Sequence, residues 1–295
     1  MPKLIVDAHR LVGPVPFDDL PVDPTPDLDR LGITRALVTH TLSLYSDAEA
    51  GNDALFALGD PRLVPVPVVV PGVPGACAPA TPDAVRAWGA RMVRLCPERH
   101  RFDLTGPAAL RWLTALTDPP PGPDTGSDMG SAAGPAVGPV AGPVAGPVAG
   151  SAAGSAAGPG AWPAAGTGAG SGAGTAPVVA VDLDETSTGQ LRTLAERLPG
   201  LRILVLNPGY RRLRALAELM AEAPGVWVEI GTVNTQGGVE WLAERFGAER
   251  LVFGTGAPVA DDCGPRFLLD HLDLTPEETD LIAAGSLERL LGGRS

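Results

Sequence analysis

The sequence predicts an α/β protein, a single (β/α)8 TIM barrel interrupted by a low-complexity insert, and three observations predict it. Short β-rich runs alternate along the chain with segments of helical periodicity. The runs are apolar almost throughout, as in VVAV and ILVL, so they need cover on both faces. Setting aside one tract of Gly, Pro, Ala and Ser leaves roughly 240 residues, the usual size of one such barrel.

In chain order the β-rich runs are Leu4 to Asp7, Ala36 to Thr39, Leu63 to Val70, Met92 to Leu95, Val178 to Leu183, Arg202 to Leu206, Val226 to Ile230 and Leu251 to Gly254. Apolar residues return every three or four positions over Gly189 to Leu198, Arg211 to Ala223 and Gly237 to Phe246, the spacing of helices with one buried face. Strand–helix alternation implies a parallel sheet, and about eight units imply closure. A doubly wound open sheet is the competing arrangement. Thr275, Pro276 and Glu278 mark a late helix start.

The composition breaks over 118–176, where GPVAGPVAGPVAG repeats a four-residue unit from Gly138 to Gly150. Side chains this small bury too little surface to offset ordering entropy, so the tract is expected to be disordered. It follows the helix-like stretch Ala108 to Leu116 and precedes the run at Val178, which puts it in a helix-to-strand connection. Such connections lie at the bottom of a barrel, opposite the face that carries active sites. Residues 1–117 and 177–295 are then the two parts of one barrel.

Of the 295 residues, 44% are hydrophobic, enough for a large core, and the net charge is −12. That balance argues against nucleic acid or an anionic membrane surface as partner, since both need clustered Lys and Arg. Cys77, Cys96 and Cys263 are odd in number and widely spaced, so no disulfide framework or paired-cysteine zinc motif is legible. The expected setting is cytoplasmic and reducing, with a possible homodimer. No G-x-S-x-G elbow and no Rossmann glycine fingerprint follows a strand.

The opening IVDAHRLVG resembles the first strand of the amidohydrolase-related superfamily, where a D-x-H-x-H segment begins a divalent metal site. LDRLGITRALVTH, AGNDALFALGDPRLVPVPVVVP and GARMVRLCPERH look like the second to fourth strands, and VEIGTVNTQGGVEWLAERFGAERLVFGTGAP like the last two. AAGSLERLL is similar to the closing helix. The resemblance implies a metal that lowers the pKa of a bound water, with a strand-eight Asp taking its proton.

The expected ligands are mostly missing. His9 stands at the first His of the motif, but Leu11 replaces the second and offers no lone pair. Strand five ends VDLDE, so Asp182 or Asp184 is nearest to an expected His; Asn207 follows strand six, and Gly256 replaces the strand-eight Asp. No cofactor is therefore expected, with zinc on His9 and Asp182 as the residual metal reading.

The remaining groups suggest chemistry on a small molecule. His9 is a candidate general acid or base, or else a relic bonded to Asp7. Asp182 and Glu229 could split acid and base roles if burial separated their pKa values, or form a hydrogen-bonded ring at the strand ends. Arg94 could clamp a carboxylate or phosphate, or pair with Asp182 or Glu229. His40, His100, Asn207, Thr232 and Thr255 are candidate substrate contacts in the upper loops. Asp7 reads as an anchor, Cys96 as a small buried hydrophobe. Two functions follow: an amidohydrolase-like hydrolase or lyase with weak or no metal dependence, or a catalytically inactive barrel retained as a small-ligand binder or partner protein. A metal completed by a neighbouring subunit is a third.

Overall fold

The computed structural model describes residues 4–20, 22–72, 80–118 and 176–292. The chain divides into two units, Met1–Pro119 with Ala161–Ser295, and Pro120–Gly160; all the described residues belong to the first. The disordered insert expected over 118–176 lies almost wholly outside the described residues, as does Cys77.

Eight strands run through the described residues: β1 (Val6–Val12), β2 (Arg35–His40), β3 (Leu63–Pro65), β4 (Met92–Leu95), β5 (Val178–Asp182), β6 (Ile203–Leu206), β7 (Val226–Glu229) and β8 (Leu251–Val252). Strands β1 to β3 pair in sequence order, as do β4 to β8, and every pairing is parallel. Backbone bonds at the two seams close the ring. Arg94 N donates to Pro67 O and Val69 N to Arg94 O at one; Ala8 N donates to Phe253 O, Gly256 N to His9 O and Leu11 N to Ala257 O at the other. This is a TIM barrel rather than an open sheet.

Between the strands lie α1 (Thr25–Leu31), α2 (Thr41–Tyr45), α3 (Ala48–Phe56), α4 (Pro82–Ala87), α5 (Pro107–Thr117), α6 (Thr188–Arg197), α7 (Leu213–Glu222) and α8 (Gly238–Phe246). Helices α9 (Cys263–Asp270), α10 (Pro276–Asp280) and α11 (Ser286–Leu290) complete the chain. Alternate strand residues face opposite ways. Val38, Val93, Val181, Val205 and Val228 therefore pack with helical Leu55, Leu113, Leu191, Leu216 and Leu242. Ala8, Leu37, Met92, Ala180 and Leu206 fill the interior, where Leu287 and Leu290 of α11 join them.

Three expected strands differ from the observed bounds by more than one residue at an end. The first continues to Val12 instead of stopping at Asp7, because its ladder with β2 resumes beyond a register shift. The third stops at Pro65 rather than Val70, since Pro65 and Pro67 carry no N–H to extend it. The eighth ends at Val252 rather than Gly254.

Candidate active site

The site begins with a bulge. Asp7 pairs with Ala36 but Arg10 with Val38, three steps on β1 against two on β2. An extra residue leaves a backbone N–H without a ladder partner. Asp7 supplies the acceptor: its Oδ1 takes the His9 N–H at 3.0 Å and the Thr255 N–H at 3.0 Å, and its Oδ2 takes the Thr255 hydroxyl at 2.7 Å. The bulge also changes the strand's phase. Ala8 belongs to the interior cluster, yet His9 and Leu11 also reach interior partners, while Arg10 is turned toward Asp27 and Asp262.

Across the interior, residues from β4 and β7 meet His9, and residues from the ends of β5 and β6 join them. His9 Nδ1 lies 3.1 Å from Glu229 Oε2, and its Nε2 lies 3.1 Å from an Arg94 Nη1. A guanidinium only donates, so Nε2 must accept, which fixes the proton on Nδ1, pointing at Glu229. Arg94 Nη2 is 3.6 Å from Asp182 Oδ2. Asn207 ties the carboxylates together: its backbone N–H donates to Glu229 Oε2 at 3.0 Å and its side-chain amide to Asp182 Oδ2 at 2.6 Å. It does so from a left-handed backbone, φ 46°, which Asn tolerates better than most residues. His9, Arg94, Asp182 and Glu229 are all buried, Glu229 completely.

Other expected contacts have structural partners. Thr255 is fully buried and its hydroxyl is committed to Asp7. Thr232 accepts the Gly209 N–H at 3.0 Å and so shapes the loop after β6. His40 caps α2, its Nδ1 accepting the Leu42 N–H at 3.2 Å, and burial lowers its pKa. His100 is half-buried with its pKa also lowered by burial; its neighbour Arg99 pairs with buried Glu185. Cys96 lies among Leu11, Leu44 and Val68, as a small hydrophobe would.

Arg10 escaped the sequence reading. It is 1% exposed, donates to Asp27 and Asp262 at 3.3 Å each, and holds Nη1 3.6 Å from Asp7. An arginine inside an apolar strand is itself a signal, because burial demands carboxylate partners. Arg10 thereby clamps the first turn of α1 to the loop after β8.

The barrel interior beneath His9 and Arg94 is packed; the cavity they line with Leu37, Met92 and Leu206 holds about 10 Å³. Above it, between the loops after β5, β6, β7 and β8, lies a depression of about 490 Å³ lined by Asp184, Asn207, Gly209, Arg212, Thr232 and Ala260. Gly256 separates the two. A Cβ added there would lie 3.5 Å from both His9 Cε1 and Asn207 Oδ1. The missing side chain leaves that edge of the ring without cover from the eighth loop.

These residues do not fit a catalytic divalent metal. The lone pair of His9 that faces the strand ends is already taken by a cation, and Asp182 is bonded by Asn207. Among the described residues, the one group of three ligand atoms within reach of one another is Asp261, Asp262 and Cys263. That group stands at the start of α9, and Arg30 donates to both Asp262 and Cys263.

The chain is thus a closed parallel TIM barrel with a histidine, a guanidinium and two carboxylates gathered at its strand ends. The chain belongs to the amidohydrolase family: its family model matches residues 12–293. Solved structures similar to it include 5-carboxyvanillate decarboxylase from Sphingomonas paucimobilis, with TM-score 0.58, 10% identity, and 99% of this chain and 100% of that one covered. A dihydroxybenzoic acid decarboxylase from a Polaromonas species, solved with bound manganese and an inhibitor, gives 0.60 and 9%, covering 98% and 97%. A 4-oxalomesaconate hydratase from Rhodopseudomonas palustris gives 0.58 and 11%, covering 98% and 96%. At such identities the likeness carries the fold. No curated protein matches the sequence.

Among the described residues, no helix is long and apolar enough to cross a membrane.

Proposed function

We propose that the protein is a hydrolase or lyase of a small carboxylate-bearing molecule, working by proton transfer at His9 rather than through a metal-bound water. The observation that carries this reading is the His9 ring, held by Glu229 at one nitrogen and by Arg94 at the other. A substrate carboxylate that takes the guanidinium bidentately frees Nε2, and Nε2 then gives or takes the proton at the reacting atom. Glu229 accepts the Nδ1–H hydrogen bond throughout and, staying ionised, stabilises the imidazolium that forms, the role of an orienting carboxylate in a triad. Entry is from the depression above Asn207 and Gly256. The decarboxylase and hydratase names of the similar structures support carboxylic acids as the first compounds to try.

The test is a panel of aromatic and aliphatic carboxylic acids incubated with metal-free protein, with products followed by mass spectrometry. His9→Asn and Arg94→Met should each lower kcat/KM by about 10²-fold or more. Turnover that survives both substitutions defeats the reading. The packed interior favours a second one, a binder without turnover. Compounds that raise the Tm without yielding product would establish it.

A further inference from the structure

We infer that Arg94 is the resident cation of this site and keeps divalent ions out of it. The inference deepens the reading above by assigning the positive charge of the same site, and it does not depend on turnover. Two carboxylates, Asp182 and Glu229, are buried at the strand ends, and buried charge demands compensation close by. Among the described residues, the ion pair that supplies it at Asp182 is the one with Arg94, which is itself 5% exposed.

The geometry is that of a cation among ligands. One terminal nitrogen faces His9 Nε2 at 3.1 Å and the other faces Asp182 Oδ2 at 3.6 Å. Glu229 reaches the guanidinium only through the His9 ring, accepting a hydrogen bond from Nδ1 at 3.1 Å. Glu229 Oε1 and Arg94 Nε are both buried without a hydrogen-bond partner, so the cluster keeps spare capacity of both signs. The position is set by β4, where Arg94 is locked by both backbone bonds across the seam, N to Pro67 O at 2.9 Å and O from Val69 N at 3.0 Å. A divalent ion seeking His9 Nε2 would meet a fixed positive charge in the place of its own ligand sphere.

The experiment compares the full-length wild-type chain with Arg94→Lys and Arg94→Ala after dialysis against chelator and then metal-free buffer. Metal content and Tm are read with and without added Zn²⁺ or Mn²⁺. The wild type should hold far less than one ion per chain, with a Tm that neither chelator nor added ion moves. Arg94→Ala should lose roughly 6–20 °C, the effect of stripping a buried charge of its partner. Zn²⁺ should restore part of that loss in Arg94→Ala while leaving the wild type unchanged, and Arg94→Lys should stay near the wild type without metal. If Arg94→Ala does not fold, the wild-type and Arg94→Lys measurements decide alone. Stoichiometric metal in the wild type, a Tm lowered by chelator, an Arg94→Lys protein that needs metal, or a folded Arg94→Ala protein indifferent to Zn²⁺ each overturns the inference. A metal-loaded wild type leaves the hydrolase or lyase reading standing in a metal-assisted form, whereas absent turnover in a metal-free wild type removes that reading and leaves this one.

Discussion

One oxygen of Glu229 serves His9 and the chain beside it at once: Oε2 lies 3.1 Å from His9 Nδ1 and 3.0 Å from the Asn207 backbone nitrogen. The other oxygen, Oε1, is buried without a partner. Charge and geometry at this carboxylate are therefore separable.

Glu229→Gln can keep an oxygen where Oε2 stands and place its amide where Oε1 stands. Its Tm should stay within a few degrees of wild type, while any turnover falls by about 10²–10⁴-fold for want of the negative charge behind the imidazole. Glu229→Leu leaves two buried donors unpaired and should cost about 2–5 kcal/mol in urea denaturation. Equal stability losses in the two variants would show that the charge, not the acceptor, holds the site.

Gly254 is where His9 and Glu229 pack over the eighth strand's end. A Cβ there would meet Glu229 Cγ at 2.7 Å and His9 Cβ at 3.2 Å. Gly254→Ala should destabilise the fold by about 1–3 kcal/mol through overpacking and reduce ligand response, read as a smaller Tm rise with bound compound. An unchanged urea midpoint would mean that the two side chains move aside freely.

Asp7 gives the protein a pH signature. Complete burial raises the pKa of its carboxyl, against the opposing pull of Arg10 and of its bonds from Thr255 and His9. With the folded pKa above the unfolded one, the native state binds the extra proton. The contribution to stability is thus fully present below the ordinary Asp value of about 3.9 and is lost as pH rises through the folded pKa. Measured by urea denaturation from about pH 4 to pH 7, the wild type should lose stability relative to Asp7→Asn. A flat difference over that range would contradict the burial effect.

Two cysteines should separate by reactivity. Burial pushes the Cys96 thiol up to about 11, whereas Cys263 is exposed. Iodoacetamide at about pH 8 should modify Cys263 in the native protein and leave Cys96 untouched until denaturant is added, because only a thiolate attacks. Peptide mass spectrometry reads both sites. Native-state alkylation of Cys96 would show that the strand-four end opens.

Much of the barrel is legible in the sequence. The runs starting at Val178, Arg202 and Val226 became β5, β6 and β7 to within one residue at an end, since a strand covered on both faces leaves an apolar signature. The helices α6, α7 and α8 followed their periodicity to within a few residues. Residues at strand ends were legible as a group for the same reason: in a barrel, the C-terminal end of every strand faces one mouth.

Sequence by itself determined the alternation of strands and helices and the family, because these are written in local pattern and residue type. Tertiary structure alone decided what the surviving polar groups do. The bulge that brings His9 inward is set by pairing of β1 with β2, and the acceptor that stabilises it is held by Thr255, 248 residues from Asp7. Arg10 and Arg94 take their roles from the groups the closed ring carries to them, Asp7, Asp27 and Asp262 for one, His9 and Asp182 for the other. Such partners are fixed by ring closure rather than by neighbours along the chain, and a buried charge takes its role from its partner.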